Sequence, residues 1–235
     1  GIAISGVAKG PGMIAPDMAT MLAFVFTDAA VAPPLLQEVL VELNGASFNA
    51  ITVDGDTSTS DTLLLAATGQ ADAPLIDSPD APGYADFRDA LGEVVRDLAL
   101  QVVRDGEGIS KCVRVRVSGA ETQAAARRVA LSIANSPLVK TAWAGEDPNW
   151  GRLIMAVGKS GEAVDRDRLR IDYGPHRIAE NGQRAASYDE DTVAAYMTQP
   201  ELEISVDLGV GSAGDAVWTT DLTHGYISIN ADYRS

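Results

Sequence analysis

Apolar positions in this chain fall into short continuous runs and helical stripes that alternate from end to end. Gly1-Ile-Ala-Ile-Ser-Gly-Val-Ala8 reads directly as a strand, and Met21-Leu-Ala-Phe-Val-Phe-Thr-Asp28, with few polar interruptions, as a buried one. Pro33 and Pro34 open a helix with Leu35, Leu36, Val39, Leu40 and Leu43 on one face, stopped near Asn44-Gly45. Strands are expected at Asn49–Val53 and Thr62–Ala67, paired as a hairpin across the polar loop between them. After a loop at Ala71–Gly83, the longest helix carries Phe87, Leu91, Val94, Val95, Leu98, Val102 and Val103. A strand at Lys111–Ser118 and a helix over roughly Glu121–Asn135 follow. Beyond Trp150 strand signals predominate. They are broken by a helical segment at Glu190–Met197 and close with Glu201–Leu208, Asp215–Leu222 and Gly225–Ala231. This order predicts an α/β fold, a layered sandwich of mixed β-sheets and helices. With no internal repeat, composition shift or long linker, residues 1–235 are expected to form a single compact unit.

Composition narrows the function classes without naming one. The chain has 235 residues, 46% hydrophobic and 22% charged, enough for a sizeable core. Its formal net charge of -15 repels polyphosphate and anionic lipid, so neither nucleic acid nor a membrane is an expected partner. No apolar segment approaches the length of a bilayer span, and the single cysteine, Cys112, fits a reducing compartment, so the expected location is cytoplasmic. Cys112 lies in an alternating segment and reads as a small strand residue. The two histidines, His176 and His224, are flanked by strand-like sequence without a Gly-x-Ser-x-Gly turn, and read as structural or surface groups.

The candidate chemistry lies in Lys9-Gly-Pro-Gly-Met-Ile-Ala-Pro-Asp-Met-Ala19-Thr20-Met-Leu-Ala-Phe24. A hydroxyl in a crowded loop can attack the carbonyl of the residue before it, cutting the chain at Ala19-Thr20. The freed α-amine, with an ordinary pKa of ~7.7–8.0, then lies beside its own hydroxyl and can serve as its general base. The same position also suits a strand starter or a cap.

This segment resembles the self-processing signature of the ornithine acetyltransferases, the glutamate N-acetyltransferases of arginine biosynthesis. The likeness continues through Thr52-Val-Asp-Gly-Asp-Thr-Ser-Thr-Ser-Asp61, Asp105-Gly-Glu-Gly-Ile-Ser-Lys111, Gly145-Glu-Asp-Pro-Asn-Trp-Gly-Arg152 and Ile229-Asn-Ala-Asp-Tyr-Arg-Ser235. It implies the self-processing, DmpA-like layered fold. Residues 1–19 would be the end of an upstream α chain, and 20–235 a β chain beginning with the nucleophile Thr20. It further implies that Lys9, Thr20, Glu107, Asn230 and Ser235 bind substrate. Acetyl would pass from N-acetylornithine to glutamate through an acetyl-threonine. The resemblance implies no cofactor and no metal, with acetyl-CoA as a possible co-substrate. Cleaved α and β chains would stay associated and assemble further as a heterotetramer. The oxyanion-hole donors are expected in a segment upstream of Gly1. A related self-processing amidase, or a fragment without catalysis, remains an alternative.

Other constellations read as structural. Asp54, Asp56, Ser58 and Asp61 begin like a calcium loop, but Thr59 and Leu65 stand where an EF-hand needs Gly and Glu, so their polar groups are expected to bond their own backbone. An indirect role for this loop in the chemistry is left open. The loop Asp147–Arg152 is expected to be a tight turn with Trp150 filling a core gap. Tyr226-Ile-Ser-Ile-Asn230 is expected to be a strand that anchors the C-terminal substrate residues to a sheet.

Overall fold

A computed structural model describes residues 1–10, 21–57 and 60–232. It divides the chain into two compact units, Gly1–Asp105 and Gly106–Ser235, where sequence alone suggests one. The boundary follows directly on the end of the longest helix and has no linker, so nothing in local composition marks it; each side closes its own sheet and core.

In the first unit, β1 (Ile4–Lys9), β2 (Leu22–Thr27) and β3 (Thr62–Ala67) form a sheet in that order. β1 runs antiparallel to β2, and β3 runs parallel to it. A parallel pair needs a crossover, and α1 (Pro33–Gly45) lies within it. The expected strand at Asn49–Val53 and its hairpin with Thr62–Ala67 are therefore corrected. Phe48–Ala50 is a short 3-10 turn that buries Phe48 and Ala50, and the apolar run of β3 pairs with β2. A short continuous apolar run marks a strand but does not choose its partner, which is a non-local decision. α2 (Tyr84–Arg104) buries Phe87, Leu91, Val95, Leu98 and Val102 on one stripe. A Cβ on Gly6 of β1 would stand 2.7 Å from Leu98 Cδ1, so the absent side chain lets α2 lie close on the sheet.

The second unit is a six-stranded sheet in the order β7-β6-β5-β8-β4-β9. Its strands are β4 (Cys112–Ala120), β5 (Arg170–Tyr173), β6 (His176–Glu180), β7 (Gln183–Arg184), β8 (Glu201–Asp207) and β9 (Ala213–Thr220). β4 and β8 are parallel, and the remaining neighbours are antiparallel. Val113, Val115 and Val117 of β4 meet Ala126, Val129, Ala130 and Ile133 of α3 (Gln123–Ala134) in one core with Ile204 and Val206 of β8. Each fully buried Val or Ile contributes about 1.5–3 kcal/mol, so this layer carries the unit. The opposite face of β4 is charged: Arg114 pairs with Glu203 at 3.2 Å and lies over the Trp218 ring.

Further helices are α4 (Pro137–Ala144), α5 (Trp150–Lys159), α6 (Glu190–Met197) and α7 (His224–Asp232). Two of them correct the strand expectation. In α5 the buried Leu153, Ala156 and Val157 recur at helical spacing behind an Asn149 cap that accepts from Arg152 N at 3.1 Å. α7 replaces the strand expected at Gly225–Ala231. Its alternating Ile227 and Ile229 are exposed, and none of its side chains is buried, so no sheet face draws the segment out. A helix satisfies its backbone internally instead.

Candidate functional site

The described site residues divide between the two units. In the first, the antiparallel register places Lys9 opposite Leu22, the second residue after Thr20. Directly opposed residues in such a ladder have Cα atoms about 4.5–5.5 Å apart, so sheet pairing alone fixes the exposed Lys9 beside the start of β2. Ala19 and Thr20 lie outside the described residues, as does Ser235.

The residue after Thr20 is held at both backbone groups. Met21 N donates to Asp61 Oδ1 at 2.7 Å, and Thr62 N donates to Met21 O at 3.0 Å. Burial pushes the Asp61 carboxyl above the usual aspartate range, an effect that the Met21 N–H opposes. In the sequence Asp61 stands out only as part of a polar loop. Its position immediately before a strand was the available signal, but the bond spans 40 residues and is invisible locally. Elsewhere in that loop Asp54 accepts from Asp56 N at 3.1 Å, a turn bond of the expected kind.

In the second unit, Glu107 and Asn230 meet. Asn230 Nδ2 donates to Glu107 Oε2 at 3.1 Å and to the Tyr226 carbonyl at 3.0 Å. The first bond spans 123 positions and joins the turn before β4 to the exposed side of α7. Gly108 has φ +65°, and a Cβ there would collide with Gly225 C and Tyr226 N. Only glycine combines that conformation with so close an approach of two backbones. Thr223 Oγ1 donates to the Gly108 carbonyl and accepts from Gly225 N at 2.9 Å, closing the same contact. Glu107 is thus half-buried in a rigid turn, with its carboxylate aimed at a helix-borne amide. A carboxylate and a carboxamide so arranged can share a ligand's ammonium and its neighbouring polar atoms.

The Gly145–Arg152 motif borders this turn. Glu146, at φ 57°, pairs with the buried Lys111 Nζ at 3.2 Å. Asn149 Nδ2 donates to Asp147 Oδ2 at 3.0 Å, but the tight turn expected through Arg152 is corrected: Trp150–Arg152 open α5, from which Arg152 Nη1 donates to the Leu138 carbonyl at 2.7 Å. Cys112 is buried, and His176 packs edge-on against Tyr196. Among the described residues no group of His, Cys, Asp and Glu is placed to hold a metal.

Fold and site thus define a two-unit α/β protein with mixed sheets and a carboxylate–amide pair at a turn. The sequence model of the ArgJ family matches residues 1–235. The arginine biosynthesis bifunctional protein ArgJ of Brucella suis is 57% identical over the whole chain, and that of Ruegeria pomeroyi 58%. The chain spans only 57% and 56% of those relatives' lengths. The crystal structure of the arginine biosynthesis bifunctional protein argJ from Bacillus halodurans superposes with a TM-score of 0.87 at 41% identity, covering 91% of this chain and 100% of that one. The chain belongs to the ArgJ family.

Proposed function

We propose that this chain carries the nucleophile and most of the substrate contacts of a self-processing acetyltransferase of arginine biosynthesis. The observation that carries the reading is the Glu107–Asn230 hydrogen bond: two residues that the family resemblance assigns to substrate, from motifs distant in the chain, converge on one point. The relatives' shared name, arginine biosynthesis bifunctional protein, supports the pathway. The crystal structure of the arginine biosynthesis bifunctional protein argJ from Bacillus halodurans, at 41% identity and a TM-score of 0.87, supports the same pathway.

In this reading the Thr20 hydroxyl attacks the Ala19 carbonyl and the peptide C–N bond breaks as the hydroxyl proton passes to the nitrogen, freeing the Thr20 amine; water then hydrolyses the resulting ester, restoring the Thr20 hydroxyl and leaving Ala19 as a carboxylate. That amine takes the hydroxyl proton as the oxygen attacks the N-acetyl carbonyl of N-acetylornithine. The C–N bond breaks, and ornithine departs with the proton. The amine of glutamate then attacks the acetyl ester and regenerates the hydroxyl. Lys9 pairs with the α-carboxylate common to both substrates, and Glu107, Asn230 and Ser235 are further substrate-binding residues. Oxyanion donors come from the upstream segment, and acetyl-CoA is a second donor to be tested. The cleaved chains remain together and assemble as a heterotetramer in the cytoplasm; no helix among the described residues is long and apolar enough to cross a membrane.

The test uses the full-length protein and its Thr20→Ala variant, read by intact mass and by acetyl exchange between ornithine and glutamate. Loss of both cleavage and exchange is expected. Exchange retained in the variant would remove Thr20 from the mechanism, and acetate released without acetylglutamate would make the protein a hydrolase.

A further inference from the structure

α7 carries Asn230 yet buries no side chain, so hydrophobic packing does not set its position. What holds it is a series of polar contacts between two segments running past each other, 107–111 and 221–230. At the far end is Asp221, only 2% exposed, immediately after β9. Its Oδ1 accepts from Ser110 N at 2.9 Å and from Lys111 N at 3.1 Å, and its Oδ2 accepts from Ser110 Oγ. Asp221 N in turn donates to the Lys111 carbonyl at 3.2 Å. Next come Thr223 on the Gly108 carbonyl and the Gly108–Gly225 backbone contact, and last the Asn230–Glu107 bond.

The base of this clamp is itself fixed. Lys140 Nζ donates to Thr219 Oγ1 at 3.0 Å and to Thr220 Oγ1 at 3.2 Å, and Leu222 N donates to the Lys140 carbonyl at 3.2 Å. A buried carboxylate that gathers two backbone amides and a hydroxyl from one turn is costly unless all of those bonds form together, so it enforces a single turn conformation. That turn carries Glu107, and the chain leaving Asp221 leads within ten residues to Asn230.

We propose that Asp221 is the positioning residue that sets Glu107 and Asn230 against each other, holding the 107–111 turn on α7 so that the two side chains face the amino-acid substrate together. The idea rests on the acetyltransferase reading for its substrate but not for its geometry, and the experiment separates the two. In the full-length protein, Glu107→Ala, Asn230→Ala and the double variant form a cycle on the KM for N-acetylornithine, repeated in an Asp221→Ala background. Hydrogen-bonded neighbours couple, so departure from additivity of about five-fold is expected with Asp221 present and less than about two-fold without it. A merely structural role would lower stability but leave the coupling intact, and that outcome would overturn the proposal. Asp221→Asn, which keeps an acceptor for the Ser110 and Lys111 amides, should retain most of the coupling.

Amide hydrogen exchange reads the clamp without turnover. In Asp221→Ala the amides of Ser110, Lys111 and residues 226–232 should exchange about ten-fold faster or more, while β4 and β8 keep native rates. Unchanged protection of 226–232 would defeat the proposal even if the protein is an active acetyltransferase. Accelerated exchange in a protein that transfers no acetyl would uphold the clamp and reject the substrate. Should Asp221→Ala not fold, Ser110→Ala with Thr223→Val applies the same two measurements while leaving the buried carboxylate its backbone donors.

Discussion

The amide of Asn230 donates to the carboxylate of Glu107 across 3.1 Å, joining a turn ahead of β4 to the helix that follows β9. The turn supplies a half-buried anion and the helix an exposed, directional donor, so removing either partner should affect binding unequally. Glu107→Ala deletes the charge and is expected to raise the KM for the amino-acid substrate about 10- to 100-fold, the range for a hydrogen bond to a charged group. Asn230→Ala, losing a solvated neutral donor, should raise it less than ten-fold. Steady-state kinetics on the full-length protein check both, and equal effects would contradict the assigned division of roles.

Gly108 is predicted to tolerate no side chain. Gly108→Ala meets both a left-handed φ of +65° and backbone atoms of Gly225 and Tyr226 that cannot rotate away. The strain alone costs about 1–3 kcal/mol, and the collision adds to it. The expected outcome is a destabilised second unit with α7 displaced, seen as a lower urea midpoint and as lost amide protection at 224–232. Gly45, with open space where a Cβ would stand, provides the matched control.

Glu146 combines a cost and a gain that one cycle can separate. Its φ of 57° is unfavourable for a side-chain-bearing residue by about 1–2 kcal/mol. Its carboxylate is the partner of Lys111, which is only 4% exposed. Glu146→Gly should therefore destabilise the native protein, because it leaves a buried ammonium without that carboxylate. In a Lys111→Met background the same change should stabilise by about 1 kcal/mol, since only the backbone strain is relieved. Urea unfolding of the four proteins measures the change of sign.

Asp61 gives a pH dependence of defined direction. Burial raises its folded-state pKa above the unfolded value, so the native protein retains this proton to higher pH than the unfolded chain does. Within that window the native state binds more protons, and stability falls as pH rises through it. Asp61→Asn keeps an acceptor for Met21 N but cannot ionise, so its stability should be flatter between the ordinary aspartate range and the raised one. Comparing unfolding midpoints of the two proteins across that range tests the sign; a steeper fall in the variant would refute it.

How much of this was legible in the sequence depended on the range of the forces involved. The stripes of α2 and α3 and the run of β2 could be read because each buries its own periodic face. Lys9, Glu107 and Asn230 were found through their motifs, but nothing local indicated that Glu107 would touch Asn230. The segment Tyr226–Asn230 misled for a related reason. Its β-branched alternation suits a strand only where a sheet edge and a buried face are at hand, and α7 has neither.

Sequence by itself determined the α/β class and the main helices, since periodicity and capping act over a few neighbouring positions, while the candidate nucleophile and its motifs were carried by resemblance to a known family. Tertiary structure decided that β3 would pair parallel with β2, that Met21 would be bound by Asp61, and that Asp221 would gather the turn bearing Glu107. Those contacts join positions tens to more than a hundred residues apart. Their free energy comes from excluding water around polar groups that meet only when the whole chain has folded.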